Sequence, residues 1–347
     1  MRKSFLTLLL ASLACTGALA QPAWHPETSG TSAELRGLSV VSTSVAWASG
    51  ARGTVLRTTD GVHWQVIAVP EAEKLDFRAI HAFDATNAII MSAGPGAASR
   101  LYRTSDGGAT WRLLATNAFA EGFWDAIAFW DAEHGIVFGD PVGGAFQVYL
   151  TADGGASWQP VSDPAGLAAL AAEGAFAASG TCLSVAGSDD AWISTGGAVN
   201  ARVLHSSDRG RSWHAAATPV LAGAPSRGAF SVGFANARLG IVAGGDYKEP
   251  KLAAQNGARS EDGGATWTPT AILPVGFMSV VVPVPGTRAS FVAAGLAGSG
   301  YSSDGGKRWT ALDATPINTV GFANAVNGWA VGPRGLLLKY TGAPLSN

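Results

Sequence analysis

Short apolar runs, each too brief for a helix and each closed by glycine or a hydroxyl residue, follow one another along this chain in groups of three. Leu35 to Val41, Ala46 to Gly50 and Thr54 to Thr58 form the first group. Phe77 to Phe83, Ala88 to Gly94 and Ser99 to Thr104 form the second, and Trp124 to Trp130, Ile136 to Gly139 and Ala145 to Thr151 the third. Runs of about four to eight such residues between turn signals predict buried β-strands. The pattern recurs three more times, the fourth group opening at Glu173-Gly174-Ala175-Phe176, before a last unit of Ile317 to Phe322, Gly328 to Gly332 and Leu336 to Tyr340.

Every group except the last runs into the same hairpin signal, a hydroxyl residue, then Asp, Gly and Trp. The copies are Thr58-Thr59-Asp60-Gly61 to Trp64, Thr104-Ser105-Asp106-Gly107 to Trp111, Thr151-Ala152-Asp153-Gly154 to Trp158, Ser206-Ser207-Asp208-Arg209-Gly210 to Trp213, Ser260-Glu261-Asp262-Gly263 to Trp267 and Ser302-Ser303-Asp304-Gly305 to Trp309. An Asp carboxylate can accept the backbone N–H groups of its own turn, and glycine supplies positive φ, so each copy predicts a tight hairpin. The first copy is one residue shorter and predicts a slightly different turn. A ring at the same point of every unit predicts a packing device between neighbours. Successive Trp residues lie 42 to 55 positions apart, a period that suits a four-stranded propeller blade.

The expected fold is therefore all-β, a seven-bladed β-propeller formed as a single domain over residues 21–347. The last unit lacks a fourth strand, and Trp24 in Gln21-Pro22-Ala23-Trp24-His25 falls where a fourth-strand Trp would stand. The N-terminal strand is expected to complete blade seven, leaving no open outer edge. Six blades is the alternative if that segment does not pair.

The repeat resembles the Asp-box, or bacterial neuraminidase repeat, of sialidases and related propellers. The resemblance implies hairpins between third and fourth strands, away from any active site of the sialidase kind. The inner strand, the Gly-ending second strand and the Asp-Gly-Gly-x-Thr-Trp hairpin together look like the photosystem II stability and assembly factor family, whose members bind a partner polypeptide and have no known chemistry. Gly139-Asp140-Pro141, Gly174 to Thr181 and Gly245-Asp246-Tyr247 also look like exported bacterial propellers loosely labelled oxidoreductases.

Composition narrows the partners. The formal net charge is −2 and charged residues make up 14% of the chain, against a nucleic-acid surface. Arg2 and Lys3, the apolar Phe5 to Leu13 and the small residues Ala18-Leu19-Ala20 predict an export signal over residues 1–20 and a periplasmic or secreted protein. Lipidation at Cys15 is the competing reading, with Ser12 standing where such a signal wants a large aliphatic residue. Otherwise Cys182 is the only mature cysteine, a buried, inert thiol with no disulfide partner. No later stretch reaches the ~20 apolar residues of a transmembrane segment. A monomer is expected.

Because strands alternate in direction, the Asp-Gly hairpins occupy one face. By elimination, the starts of the inner strands and the second-to-third loops occupy the other, and there the repeat is broken. Blades one and seven have plain loops, Gly50-Ala51-Arg52-Gly53 and Gly332-Pro333-Arg334-Gly335. Blade three has Gly139-Asp140-Pro141-Val142-Gly143-Gly144, and blade five Gly244-Gly245-Asp246-Tyr247-Lys248-Glu249-Pro250. Arg36, Arg78 and Asp125 stand at the second position of the first three inner strands. Two readings stand: charges that line a wet channel mouth and position strands, or a binding pocket for a small polar ligand or protein partner made of Arg36, Arg78, Asp125, Asp140, Glu173, Arg202, Asp246 and Tyr247.

An exported binding or assembly scaffold is the leading function, with an enzyme on the same face as the alternative. Resemblance to sialidases implies an arginine cluster, a Tyr nucleophile with a Glu partner and an acid Asp, for which Arg36, Arg78, Arg202, Tyr247, Glu173 and Asp125 are the available residues. Phe77-Arg78-Ala79-Ile80 lacks the proline of that family's Phe-Arg-Ile-Pro signature. No cofactor is expected, since no dinucleotide fingerprint or metal-spaced Cys or His cluster is present. The histidines are scattered, and His63, His134 and His205 are not expected to meet a second ligand at short spacing. No metal is assigned, although Asp125, Asp140 and Asp246 would suit calcium.

Overall fold

The computed structural model describes residues 23–345; the expected export signal, Cys15 and Gln21 lie outside them. Seven four-stranded antiparallel sheets follow one another around a ring, with two short 3₁₀ turns and no α-helix among the described residues. Blade one consists of Leu35–Val40, Ala46–Gly50, Thr54–Thr58 and Trp64–Ala68. The apolar runs form strands because each is just long enough to cross a blade, and the second strands of blades one and two are buried along their whole length.

Blade seven closes with the N-terminal strand. Ala23–Pro26 pairs antiparallel with Leu337–Thr341, Trp24 opposite Tyr340, completing the sheet begun by Thr319–Asn324 and Asn327–Val331. Trp24 takes the place a hairpin Trp has elsewhere: its ring meets Tyr340 edge-on at 5.5 Å, and its indole N–H donates to Ser299 Oγ in blade six at 3.0 Å. Two of the hairpin Trp rings likewise pack back onto the preceding blade, Trp64 edge-on to Trp329 and Trp111 edge-on to Trp47.

The six hairpins share one hydrogen-bond design. In blade two, Thr104 Oγ1 donates to Asp106 Oδ1 at 2.9 Å, accepts the Gly108 N–H at 2.8 Å, and Asp106 Oδ1 accepts the Thr110 N–H at 2.9 Å. Gly107 and Gly108 both have positive φ, which makes the turn possible. The bonds from Thr110, side chain and backbone, pull Asp106 down to a pKa of about 2. In the shorter first copy, the hydroxyl of Thr58 receives the N–H of Gly61, one residue earlier than in the other copies.

Blade four departs from the expected boundaries. Its first strand is Leu183–Ala186, and Glu173-Gly174-Ala175-Phe176 does not open it. Residues 174–181 instead leave the blade stack and cross the central channel, a path open to them because Gly, Ala and Ser side chains are small. Ser179 Oγ donates to the Ser279 carbonyl in blade six at 2.7 Å, and Thr181 and Ser231 of blade five share a hydroxyl contact at 2.7 Å. Gly180, at φ +70°, lies against blade two, where an added Cβ would stand 3.1 Å from Ala79 Cβ. This crossing segment plugs the axis of the ring.

Candidate functional site

The inner strands of blades one, two, three and five carry the same irregularity. Their pairing slips between Leu35 and Gly37, Phe77 and Ala79, Trp124 and Ala126, and Ala229 and Ser231. The residue left over in each case is Arg36, Arg78, Asp125 or Phe230. A bulge re-aims its side chain, and all four line one cavity at the mouth of the channel. The Gly ending the second strand makes room for it: an added Cβ at Gly50 would sit 2.0 Å from the Glu34 carbonyl oxygen, and one at Gly139 2.3 Å from that of Phe123.

The cavity has a volume of about 530 Å³. It brings together five of the eight candidate residues, Arg36, Arg78, Asp125, Asp140 and Tyr247, with Glu34, Ser279 and Asn318. The plug forms part of its wall. Arg36 Nη1 donates to the Ala178 carbonyl at 3.2 Å, Arg78 Nη1 reaches the Ala177 carbonyl at 3.5 Å, and Asp140 Oδ1 accepts the Ala175 N–H at 2.7 Å. Each guanidinium also has its own acid, Arg36 Nη2 on Glu34 at 3.2 Å and Arg78 Nε on Asp76 at 2.7 Å. Burial and the neighbouring Arg78 lower the pKa of Arg36.

The remaining three candidates do not open into this cavity. Glu173 is fully buried: it takes Arg202 Nε at 2.8 Å and Nη2 at 2.5 Å, the Thr195 hydroxyl at 2.6 Å and the Leu170 N–H at 2.7 Å. Every acceptor position of that carboxylate is occupied, so Glu173 and Arg202 anchor the root of the plug. Asp246 accepts Arg227 Nε at 2.9 Å and the Lys248 N–H at 2.9 Å. Burial opposes its ionisation, but these bonds and one from Ser226 outweigh it and lower its pKa. Asp246 thereby fixes the turn that presents the exposed Tyr247.

The other wall is aromatic, and apart from Tyr247 sequence reasoning missed it. Phe176 of the plug stacks on Phe230 at 3.7 Å between centroids, Phe277 meets Phe230 edge-on at 4.7 Å, and Tyr247 meets it at 6.1 Å. Apolar residues inside apolar runs carry no mark of facing a channel; the only available hint was that Phe230 occupies the inner-strand position filled elsewhere by Arg36, Arg78 and Asp125.

Asp125 is the anomaly. It is 1% exposed, lines the cavity, and neither carboxylate oxygen has a hydrogen-bond partner. Burial, reinforced by Asp140, drives its pKa well above the carboxylate range; the Arg78 charge and nearby backbone N–H groups of Asp140 and Ala177 oppose the shift. Asp140 is raised by burial, against the bond from Ala175. The Cys182 thiol nearby is also pushed up, first by burial and then by Asp125 and Asp140, consistent with an inert cysteine.

Asp125, Asp140 and Asp246 do not converge as a three-carboxylate metal site among the described residues. The histidine expectation fails for His63 and His134, which each meet an Asp three residues away, and not for His205. His63 lies 2.7 Å from Asp60, His134 2.9 Å from Asp131 and His205 2.8 Å from Asp190, partners that local turns and strand pairing supply. Asp131, Glu133 and His134 lie within ligating reach of one another, but on a turn whose own backbone N–H groups Asp131 already accepts.

Blades, closure and a cavity at the channel mouth define a seven-bladed β-propeller. No protein-family profile matches the sequence, and no curated protein matches it. Solved structures do. YCF48 bound to D1 peptide is similar over 94% of this chain and 99% of its own, with a TM-score of 0.66 at 17% identity. YCF48 from Cyanidioschyzon merolae is similar over 92% and 99%, with a TM-score of 0.66 at 18% identity. A catalytically inactive virginiamycin B lyase from Staphylococcus aureus, with quinupristin, covers 93% and 100% at a TM-score of 0.63 and 8% identity. At these identities the likeness is one of fold.

Proposed function

We propose that this protein is an exported, monomeric binding or assembly scaffold that receives a segment of a partner polypeptide in the channel-mouth cavity, on the face opposite the Asp-box hairpins. One observation carries the reading: the cavity wall already reads a piece of polypeptide by its backbone. Arg36 and Arg78 donate to the carbonyls of Ala178 and Ala177, and Asp140 accepts the N–H of Ala175. A site that combines backbone donors and acceptors with an aromatic slot suits a peptide, whose main chain supplies affinity and whose side chains supply selectivity. The likeness in fold to YCF48, solved with a D1 peptide, supports the same reading.

Display of random peptides against the immobilised mature chain tests it. Enriched peptides should lose binding to Arg78→Ala and Tyr247→Ala proteins whose unfolding temperatures are retained. Absence of enrichment over an unrelated protein would remove the scaffold reading.

A second reading, an enzyme on the same face, is favoured by Asp125, a buried carboxyl of perturbed pKa in a ligand-sized cavity. Turnover of a glycoside or redox substrate that disappears in Asp125→Asn would select it.

A further inference from the structure

The acids and bases around the cavity are not evenly matched. Arg36 is engaged by Glu34 and the Ala178 carbonyl, and Arg78 by Asp76 and the Ala177 carbonyl. Asp140 has one backbone N–H, and Asp125 has no hydrogen bond of its own, only the Arg78 charge and the backbone N–H groups of Asp140 and Ala177 nearby, the former already given to the Phe123 carbonyl. A buried carboxylate without donors costs several kcal/mol and is rarely left so. What the cavity lacks is therefore a hydrogen-bond donor for the ionised form of Asp125, and a positive one would also offset the repulsion from Asp140 that opposes that form. The same cavity is lined by Phe176, Phe230, Phe277 and Tyr247, aromatic surfaces that favour a cation carried on an apolar stem.

We propose that the occupant of this cavity presents a protonated primary amine, a lysine side chain or a free N-terminus, which Asp125 and Asp140 receive while the aromatic wall holds its apolar part. This inference rests on the scaffold reading for the identity of the occupant as a polypeptide, but the amine preference is a property of the cavity alone.

A proton is linked to the event. Facing Asp125 are Asp140, the Arg78 guanidinium and the buried Cys182 thiol, with Arg36, Glu34 and Tyr247 also lining the cavity. In the empty cavity burial and Asp140 raise the pKa of the Asp125 carboxyl; an ammonium beside it favours the charged form and lowers that pKa, so binding is coupled to proton release. Affinity should therefore rise with pH until the amine itself deprotonates.

Titration calorimetry with phenethylamine, its neutral N-acetyl derivative and 3-phenylpropionate, in two buffers of different ionisation enthalpy, tests this. The amine should bind with release of about one proton, and the N-acetyl compound about ten- to hundredfold more weakly, the scale of a buried charged hydrogen bond. Asp125→Asn and Asp140→Asn should each abolish the difference between the two. Preference for the carboxylate, or an amine affinity unchanged in Asp125→Asn, overturns the proposal. Failure of all three probes while displayed peptides bind would overturn the amine preference and leave the scaffold; amine binding without any peptide would leave the preference and overturn the scaffold.

Discussion

The ring of Phe176 lies almost flat on that of Phe230, with centroids 3.7 Å apart and planes 15° from parallel. Phe176 belongs to the segment that crosses the channel and Phe230 to the inner strand of blade five, so this stack seats the plug. Close backbone approach makes room for it: an added Cβ at either Gly196 or Gly228 would come within 3.0 Å of a Phe176 ring carbon. Phe176→Ala should cost about 2 kcal/mol, below the ~3–5 kcal/mol of a fully buried ring because Phe176 keeps partial exposure. Limited proteolysis should then cut near Ala175 to Ser179. A variant as resistant as the parent would show that the hydrogen bonds alone seat the plug.

Glu173 and Arg202 predict a larger effect at the plug's root. Removing a fully buried carboxylate strands the Arg202 guanidinium, which Glu173→Ala should register as a loss of about 3–5 kcal/mol in urea unfolding. Glu173→Gln keeps the shape and should cost less. Equal losses would mean that the charge, and not packing volume or shape, is what Glu173 supplies.

Strand boundaries and blade number were legible because their punctuation is local: the glycines, hydroxyls and Asp residues that close each run sit inside the run's own sequence. Arg36, Arg78 and Asp125 were legible for a related reason, as charges at the second position of otherwise apolar strands, where a bulge turns them to the channel. Glu173 and Asp246 looked equivalent to them, but each is consumed by a partner on a different strand, Arg202 and Arg227, and no sequence pattern declares that pairing. The crossing of the channel by residues 174–181 was hidden because a Gly-Ala-Phe-Ala-Ala-Ser-Gly stretch reads as readily as the start of an inner strand.

Trp24 should control the closure of the ring. It is 8% exposed, contacts Phe322 and Tyr340 in its own blade and donates to Ser299 in the preceding one. Trp24→Ala should destabilise the fold by about 3–5 kcal/mol. Hydrogen exchange should increase first at Leu337–Thr341, whose outer edge Ala23–Pro26 covers. Uniform acceleration over all seven blades would instead mark closure as part of one global unit.

Two sets of carboxylates give the stability opposite pH dependences. Asp106, Asp153, Asp262 and Asp304 are held at about 2. For the first three the leading cause is a hydroxyl or N–H of the hairpin itself; for Asp304 burial works against the shift and bonds from Arg308 overcome it. Their folded values lie below the unfolded value of about 3.9. The stability they contribute is present above that value and is lost as the pH falls through about 2. Asp125 runs the other way: its folded value is raised, so its contribution is complete below the ordinary carboxylate range and is lost as the pH climbs through the elevated value. Asp125→Asn removes that loss without creating a cavity. Urea midpoints measured from about pH 2 to pH 8 should show the variant more stable than the parent at neutral pH, with the advantage shrinking toward acid and both proteins sharing the collapse near pH 2 that the hairpin aspartates impose. A variant that is less stable at neutral pH than at pH 4, relative to the parent, would mean that Asp125 is ionised and favourably solvated in the free protein, and would remove the physical basis for reading it as a carboxyl waiting for a donor.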